Sequence, residues 1–226
     1  MDTDKTQIVY CSGPLFCPEE IGSMTAISTV LENAGFQTFL PHRDGLEAYI
    51  LKFVNSPVNI NVFKSRDMIE RAVFALDVFQ VVERCNAFVF NMNGRVPDEG
   101  GVAETAIAFA AGKPVVIYKN DYRTVFNGCD NSMVNGLTFL PKIDHINKIP
   151  GAIKKAANKL NKQGPSPYTG ECIPPAMRKT IKLGRRIWQM MNKLNLKNST
   201  ALSADALIRQ IADICINDNE NPPDNE

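Results

Sequence analysis

"NAFVFNMNGRVPDEGGVAETAIAFAAGKPVVIY", Asn86 to Tyr118, is the stretch on which the fold turns. Its two ends, "NAFVF" (Asn86–Phe90) and "KPVVIY" (Lys113–Tyr118), have the length and the aromatic and β-branched content of buried strands. Between them Val102, Ile107, Phe109 and Ala110 make an apolar stripe at helical spacing, and Gly112 stands where a helix end expects glycine. A strand, a glycine turn, a helix and a second strand follow in order. The acids Asp98, Glu99 and Glu104 then fall at the first strand's carboxyl end, where open α/β sheets place their ligands.

Working outward, "QIVYCSG" (Gln7–Gly13) is expected to be a first strand, ending in a turn at Gly13–Pro14. Pro18–Ala34 carries a helical pattern closed by Gly35, and "FQTFLP" (Phe36–Pro41) suits a short strand. Arg43–Pro57 fits a loop with one helix in it. Ser65–Arg84 is a predicted helix, with Ile69, Val73, Leu76 and Phe79 or Gln80 at three-to-four spacing. "GLTFLP" (Gly136–Pro141) is the predicted fifth strand, and a helix is expected from about Asp144 to Lys162.

Strands alternating with helices predict an α/β fold with a doubly wound, mostly parallel five-stranded sheet, Rossmann- or flavodoxin-like, and right-handed crossovers. That domain is expected to span residues 1–162. Residues 163–226 would hold a linker (Gln163–Pro175), two further helices (Ala176–Leu196 and Ser203–Ile216) and a polar tail, "NDNENPPDNE", expected to be disordered.

The chain has 226 residues, enough for one substantial core. Its net charge of +1 supplies no global field for nucleic acid or a membrane surface. The opening "MDTDKTQ" is polar and acidic, unlike a secretory leader, and no apolar run reaches membrane-spanning length. Six scattered cysteines without a C-x-x-C pair read as reduced thiols, so a cytoplasmic protein is expected. Only His42 and His145 are present, neither near a cysteine in sequence, so no metal site is expected. Residues 152–197 carry eleven Lys or Arg against the single acid Glu171. Such a run serves either as a solvated helical face or as a nucleic-acid surface, and its thin aromatic content, Tyr168 and Trp188, favours the first.

Nucleotide loops fail on inspection. Gly112-Lys113 is followed by Pro114, and no G-x-G-x-x-G follows the first strand. Carboxylates remain. Glu104 should fall in the first turns of the helix beginning near Gly101, where the dipole favours negative charge, and Gly100-Gly101 would let a ligand approach the backbone. A positioned carboxylate can attack a sugar's anomeric carbon while a second acid protonates the leaving group. Asp98 and Asp77 are the candidates for that second acid; a turn residue and a solvated helix acid are their plainer readings.

"IVYCSGPLF", then "ALDVFQVVERCNAFVFNMNG", then "PDEGGVAETAIAFAAGKPVVIY" resemble, in this order, the nucleoside 2-deoxyribosyltransferase family over about residues 7–140. The resemblance implies a Rossmann-like sheet and exchange of the base of a 2′-deoxynucleoside, with net retention, through a covalent deoxyribosyl-glutamate. It implies Glu104 as nucleophile, Tyr10 as the hydroxyl on that carboxylate, Asp98 as the acid handling the base proton, and Asp77 as a further acid near sugar and base. Gly13, Pro14, Leu15, Phe16 and Gly100 would line the substrate. Asn131-x-Met133 matches an element that completes a neighbouring subunit's pocket, which implies a homo-oligomer with shared sites. Substrates would be 2′-deoxynucleosides and free nucleobases, with no cofactor. Thr105-Ala106 departs from the E-x-G common in the family after the nucleophile. The alternatives are a 2′-deoxynucleoside 5′-monophosphate hydrolase on the same fold, against which the apolar Gly13–Phe16 turn speaks, and a non-catalytic nucleotide-sensing module.

Overall fold

The computed structural model describes residues 6–49, 66–124, 128–162, 173–194 and 204–220. Four apolar runs form strands: β1 (Ile8–Ser12), β2 (Gln37–Phe39), β3 (Ala87–Asn91) and β4 (Val115–Tyr118). They pair in parallel in the order β2-β1-β3-β4. The chain runs outward from β1 to β2 and returns past β1 to β3. The strand order therefore reverses between β1 and β3, and a crevice at their carboxyl ends is the expected ligand position.

The fifth strand is not found among the described residues. Gly136–Pro141 is irregular. Thr138 donates its hydroxyl to the Val115 carbonyl at 2.8 Å, so a side chain occupies an edge acceptor that a strand would have taken. Backbone pairing with β4 comes only at Ile143, whose N–H reaches the Ile117 carbonyl and whose carbonyl accepts from Lys119, both at 2.8 Å.

Helices α1 (Pro18–Asn33), α2 (Pro41–Asp44), α3 (Arg66–Phe79), α4 (Glu99–Ala110), α5 (Ser132–Asn135), α6 (Ile149–Asn161), α7 (Pro175–Lys193) and α8 (Ala204–Glu220) complete the described structure. Helix α3 loosens into a π-helical turn at Gln80–Arg84, and a 3₁₀ turn at Ile146–Lys148 leads into α6. Helix α8 runs on to Glu220, so Asn217–Glu220 are helical where the sequence suggested a disordered tail. Of the expected linker, residues 163–172 lie outside the described residues, as do 221–226 of the tail. No described helix is long and apolar enough to cross a membrane.

Two compact units emerge. One joins Met1–Leu40 to Val81–Ile173, the other Pro41–Gln80 to Pro174–Glu226. Residues 41–80, which the sequence assigns to the α/β domain, thus cluster with the C-terminal helices. In the sheet unit, alternation sends Val9, Cys11, Val89 and Val116 to one face, against Met24, Ile27 and Leu31 of α1 and Ile149 and Ile153 of α6. Each fully buried Leu or Ile there contributes about 1.5–3 kcal/mol. Helix α4 covers the other face.

The buried residues of α4 are Gly101, Thr105 and Ala108, not the stripe of Val102, Ile107, Phe109 and Ala110 expected from hydrophobicity. Phe109 is 38% exposed and packs on Phe139, their ring centres 5.8 Å apart. The reason is distance. The helix lies so close to the sheet that only small side chains fit beneath it.

In the helical unit, α3 buries Ile69, Ala72, Ala75, Leu76, Val78 and Phe79, and α7 buries Ile181, Leu183, Ile187, Met190 and Met191. The two helices cross at Gly184, where a Cβ would stand 2.0 Å from the Ala75 carbonyl oxygen. Arg178, Lys179, Lys182 and Arg185 of α7 are exposed.

Candidate active site

Tyr10 anchors the site. On β1 it lies opposite Phe39 of β2 and Phe88 of β3. Its ring is 5.3 Å from each, stacked on Phe88 and tilted to Phe39. Aromatic pairs of this kind add about 0.5–1.5 kcal/mol beyond burial. Tyr10 is fully buried, so its ring orientation is fixed, and its hydroxyl is directed at Glu104. Two residues on, Ser12 faces the same side of the strand.

Both hydroxyls converge on Glu104 of α4. Tyr10 Oη donates to Oε1 at 2.6 Å, and Ser12 Oγ donates to Oε2 at 2.5 Å. An ionised carboxylate accepts at both oxygens and is the form this pair of donors fits. Glu104 is itself only partly buried.

Two glycines and an aspartate place that helix. Asp98 is the N-cap of α4, its Oδ2 accepting from Gly101 N at 2.6 Å. A cap of this kind is worth about 1 kcal/mol. Gly101 sits on the Phe90 ring of β3, where a Cβ would come within 2.4 Å of Cε2. The turn reading of Asp98 thus holds in the form of a helix cap, at the amino end of the helix that carries Glu104. Glu104 falls in the second turn, six residues after Asp98.

The remaining sequence candidates scatter. Gly13 and Pro14 are buried where β1 ends, and a Cβ on Gly13 would press within 2.8 Å of Asn91 Cβ and Met24 Sδ. Leu15 packs on the core, Gly100 is exposed, and Phe16 is 83% exposed. Asn131 caps the short α5 through its side-chain oxygen, 2.9 Å from Met133 N, and Met133 is 80% exposed. That loop is pinned at its base. Asp130 is buried, with Lys119 Nζ at 2.9 Å from one oxygen and Lys142 on the other. Burial pushes the Asp130 carboxyl up, but the hydrogen bonds from Lys142 and Lys119 outweigh it and hold its pKa below the usual value.

Asp77 is not part of the Tyr10–Ser12–Glu104 constellation's unit. It belongs to α3 in the helical unit and is 9% exposed, so the reading of it as a solvated helix acid is overturned. In the same unit, burial pushes the pKa of the Glu47 carboxyl up, against a smaller opposing pull from its own backbone and from Asp77.

Sequence reasoning missed Ser12. Ser12 had a usable signal, since a polar residue two places after Tyr10 must share its face of the strand. Among the described residues, no three His, Cys, Asp or Glu side chains are grouped to hold a metal ion.

Residues 9–223 match the family described as "Nucleoside 2-deoxyribosyltransferase". No curated protein matches the chain. Among solved structures, the crystal structure of a conserved protein from Enterococcus faecalis V583 is similar at 19% identity, covering 67% of this chain and 99% of that one, with a TM-score of 0.49.

Proposed function

The chain belongs to the nucleoside 2-deoxyribosyltransferase family, and from that premise we propose that it moves a 2-deoxyribosyl group between nucleobases through an ester on Glu104. The observation that supports this most is the clamp of Tyr10 and Ser12 on the two Glu104 oxygens. It fixes a carboxylate at the carboxyl edge of the sheet, and a fixed nucleophile avoids the entropy of finding its attack geometry.

In the first half-reaction a Glu104 oxygen attacks C1′. The C1′–N bond breaks, its electron pair goes to the base, and Asp98 supplies the proton the departing nitrogen needs. Asp98 Oδ2 is engaged with Gly101 N, so Oδ1 is the oxygen that serves the base. In the second half-reaction the nitrogen of an incoming base attacks C1′ from the face opposite the ester. The ester bond breaks, Glu104 recovers its charge, and the incoming base gives its proton to Asp98. Two inversions give net retention. Tyr10 orients Glu104 and fills the space of a 2′-hydroxyl, which selects deoxyribose. Asp77 is a further acid near sugar and base. Asn131 and Met133 complete the pocket of a second copy of the chain, so the working enzyme is a homo-oligomer.

Incubation with deoxyinosine and free adenine tests the reaction, and deoxyadenosine is the expected product. A 2-fluoro-2-deoxy sugar donor should label the peptide carrying Glu104, and Glu104→Ala should lower turnover by roughly 10⁴–10⁶. Hydrolysis of a deoxynucleoside monophosphate without transfer, or a label on Asp98 or Asp77, would overturn the assignment.

A further inference from the structure

We propose that the outer face of α7 binds the phosphate backbone of duplex nucleic acid. This role is separate from the chemistry at Glu104 and does not depend on it.

Helix α7 carries six cations, Arg178, Lys179, Lys182, Arg185, Arg186 and Lys193, and no acid. All but the half-buried Arg186 are exposed. At 3.6 residues per turn the exposed ones fall within an arc of about 120°. The opposite side of the helix is the buried one, with Ile181, Leu183, Gly184, Ile187, Met190 and Met191.

A solvated helical face commonly mixes its signs, and the other long helices of this unit do so. On α3, Arg66 pairs with Glu70 at 2.7 Å, four residues on. On α8, the exposed Arg209 and Asp213 have the same spacing. On α7, spacings of three and four bring like charges together: Arg178 with Lys182, Lys179 with Lys182, and Lys182 with Arg185. Such pairs destabilise a helix. Among the described residues, Arg178, Lys179, Lys182 and Lys193 make no ion pair. Only Lys193, in the last turn, stands where the helix dipole favours a cation. The face thus concentrates positive charge that the fold itself does not use.

What the face lacks narrows the partner. None of the exposed large hydrophobic side chains belongs to α7; those described in this unit, Phe74 and Ile216, are on α3 and α8. A protein partner relies on such an anchor. A helix inserted in a membrane surface turns its apolar side outward. Single strands need a ring on which bases stack. A duplex needs none of these, because it presents rows of phosphates. The thin aromatic content of this basic run is therefore no obstacle. Gln189, exposed within the same arc, adds a neutral donor of the kind phosphates accept from.

Shape agrees with charge. A helix about 10–12 Å across matches a B-form major groove about 12 Å wide. Cations spread over a wide arc reach both phosphate walls of the groove, whereas a flat lipid surface would meet only the crest. Arg178 to Lys193 extends along about 22 Å of axis, roughly two-thirds of a duplex turn.

Fluorescence anisotropy of a labelled duplex of about 20 base pairs, titrated with the full chain, tests this. One phosphate for each exposed cation predicts a slope of about −4 to −5 for log K against log salt. Affinity should then fall about 500-fold between roughly 50 and 200 mM salt. The triple variant Arg178→Gln, Lys179→Gln, Lys182→Gln should bring the slope to about −2. The exposed Lys154, Lys155 and Lys162 of the sheet unit supply the control. Changing all three to Gln removes the same charge and should leave the slope as it was. Circular dichroism checks folding, and Lys182→Gln alone, expected to lower the slope by about one, carries the test if the α7 triple variant does not fold. A wild type that leaves the duplex unbound at about 50 mM salt overturns the proposal. So does an equal loss in both triple variants, which would mean a general charge effect. A single strand that binds as tightly as the duplex, or phosphatidylserine vesicles that bind where the duplex does not, overturns the duplex as the partner.

Discussion

Gly101→Ala sets local preference against tertiary packing, with opposite signs. By helix propensity alone, alanine should stabilise the first turn of α4, by up to about 1 kcal/mol. The contact with β3 says otherwise. An added Cβ would stand 2.4 Å from Phe90 Cε2, 3.1 Å from Cδ2 and 3.0 Å from Asp98 Oδ2, where ordinary contact begins at 3.4 Å. Something must move by about 1 Å. The Phe90 ring is fully buried, so the helix start is what gives. Overpacking of this kind costs about 1–3 kcal/mol. At the upper end of that range the net loss is about 1–2 kcal/mol, or a drop in Tm of roughly 2–8 °C for a chain this long. The same shift reaches Glu104 three residues on. Its bonds of 2.6 and 2.5 Å to Tyr10 and Ser12 would stretch past the range of a good hydrogen bond. A misplacement of 1 Å can cost about 10²-fold in turnover. The assay pairs thermal unfolding with base exchange, and Gly100→Ala is the control for stability. Its nearest neighbour would be Asp98 Oδ2 at 3.5 Å, an ordinary contact, so its Tm should hold or rise. If Gly101→Ala unfolds with the Gly100→Ala protein and exchanges bases at the wild-type rate, the argument from close approach is wrong.

Two further outcomes follow from buried contacts. Asp130→Asn should destabilise by about 3–5 kcal/mol, because it strands the Lys119 ammonium, 4% exposed, without its counter-charge. The Asp130 pKa is lowered in the folded state, so the stability it confers is present above the ordinary carboxylate pKa of about 3.9 and is lost as pH falls through the folded value. The Tm gap between wild type and variant should be wide at neutral pH and close below about pH 4; a gap constant with pH would refute the ion-pair account. Gly184→Ala drives a methyl to 2.0 Å from the Ala75 carbonyl oxygen, a backbone atom that cannot rotate away, and should cost about 3 kcal/mol. Hydrogen exchange should show faster opening of α3 and α7 together, and unchanged exchange would mean the helices can separate freely.

The order of strands and helices was legible because it rests on local chemistry. β1 to β4 were foreseen from short apolar runs bounded by glycine and proline, and α1, α3, α4 and α6 from their spacing. "GLTFLP" carried the same letters and failed, because a strand also needs a partner edge. That edge was met instead by the Thr138 hydroxyl and, past Pro141, by Ile143. Glu104, Tyr10 and Asp98 were named from a motif and a resemblance. Asp98's work as the cap of α4 shows only in its bond to Gly101.

By itself, then, the sequence determined four strands and the longer helices, the turn that ends β1, and the edge of the sheet at which the acids gather. Each of these depends on residues a few positions apart, and a periodicity of two or 3.6 records such dependence directly. Tertiary structure alone decided that α4 buries Gly101, Thr105 and Ala108 rather than its largest apolar residues, that Asp77 is buried, and that Ser12 grips the oxygen of Glu104 that Tyr10 does not. Ser12 and Glu104 are 92 positions apart. Contacts at that range are set by how closely a helix can approach a sheet, which depends on volume missing at a glycine as much as on any side chain present.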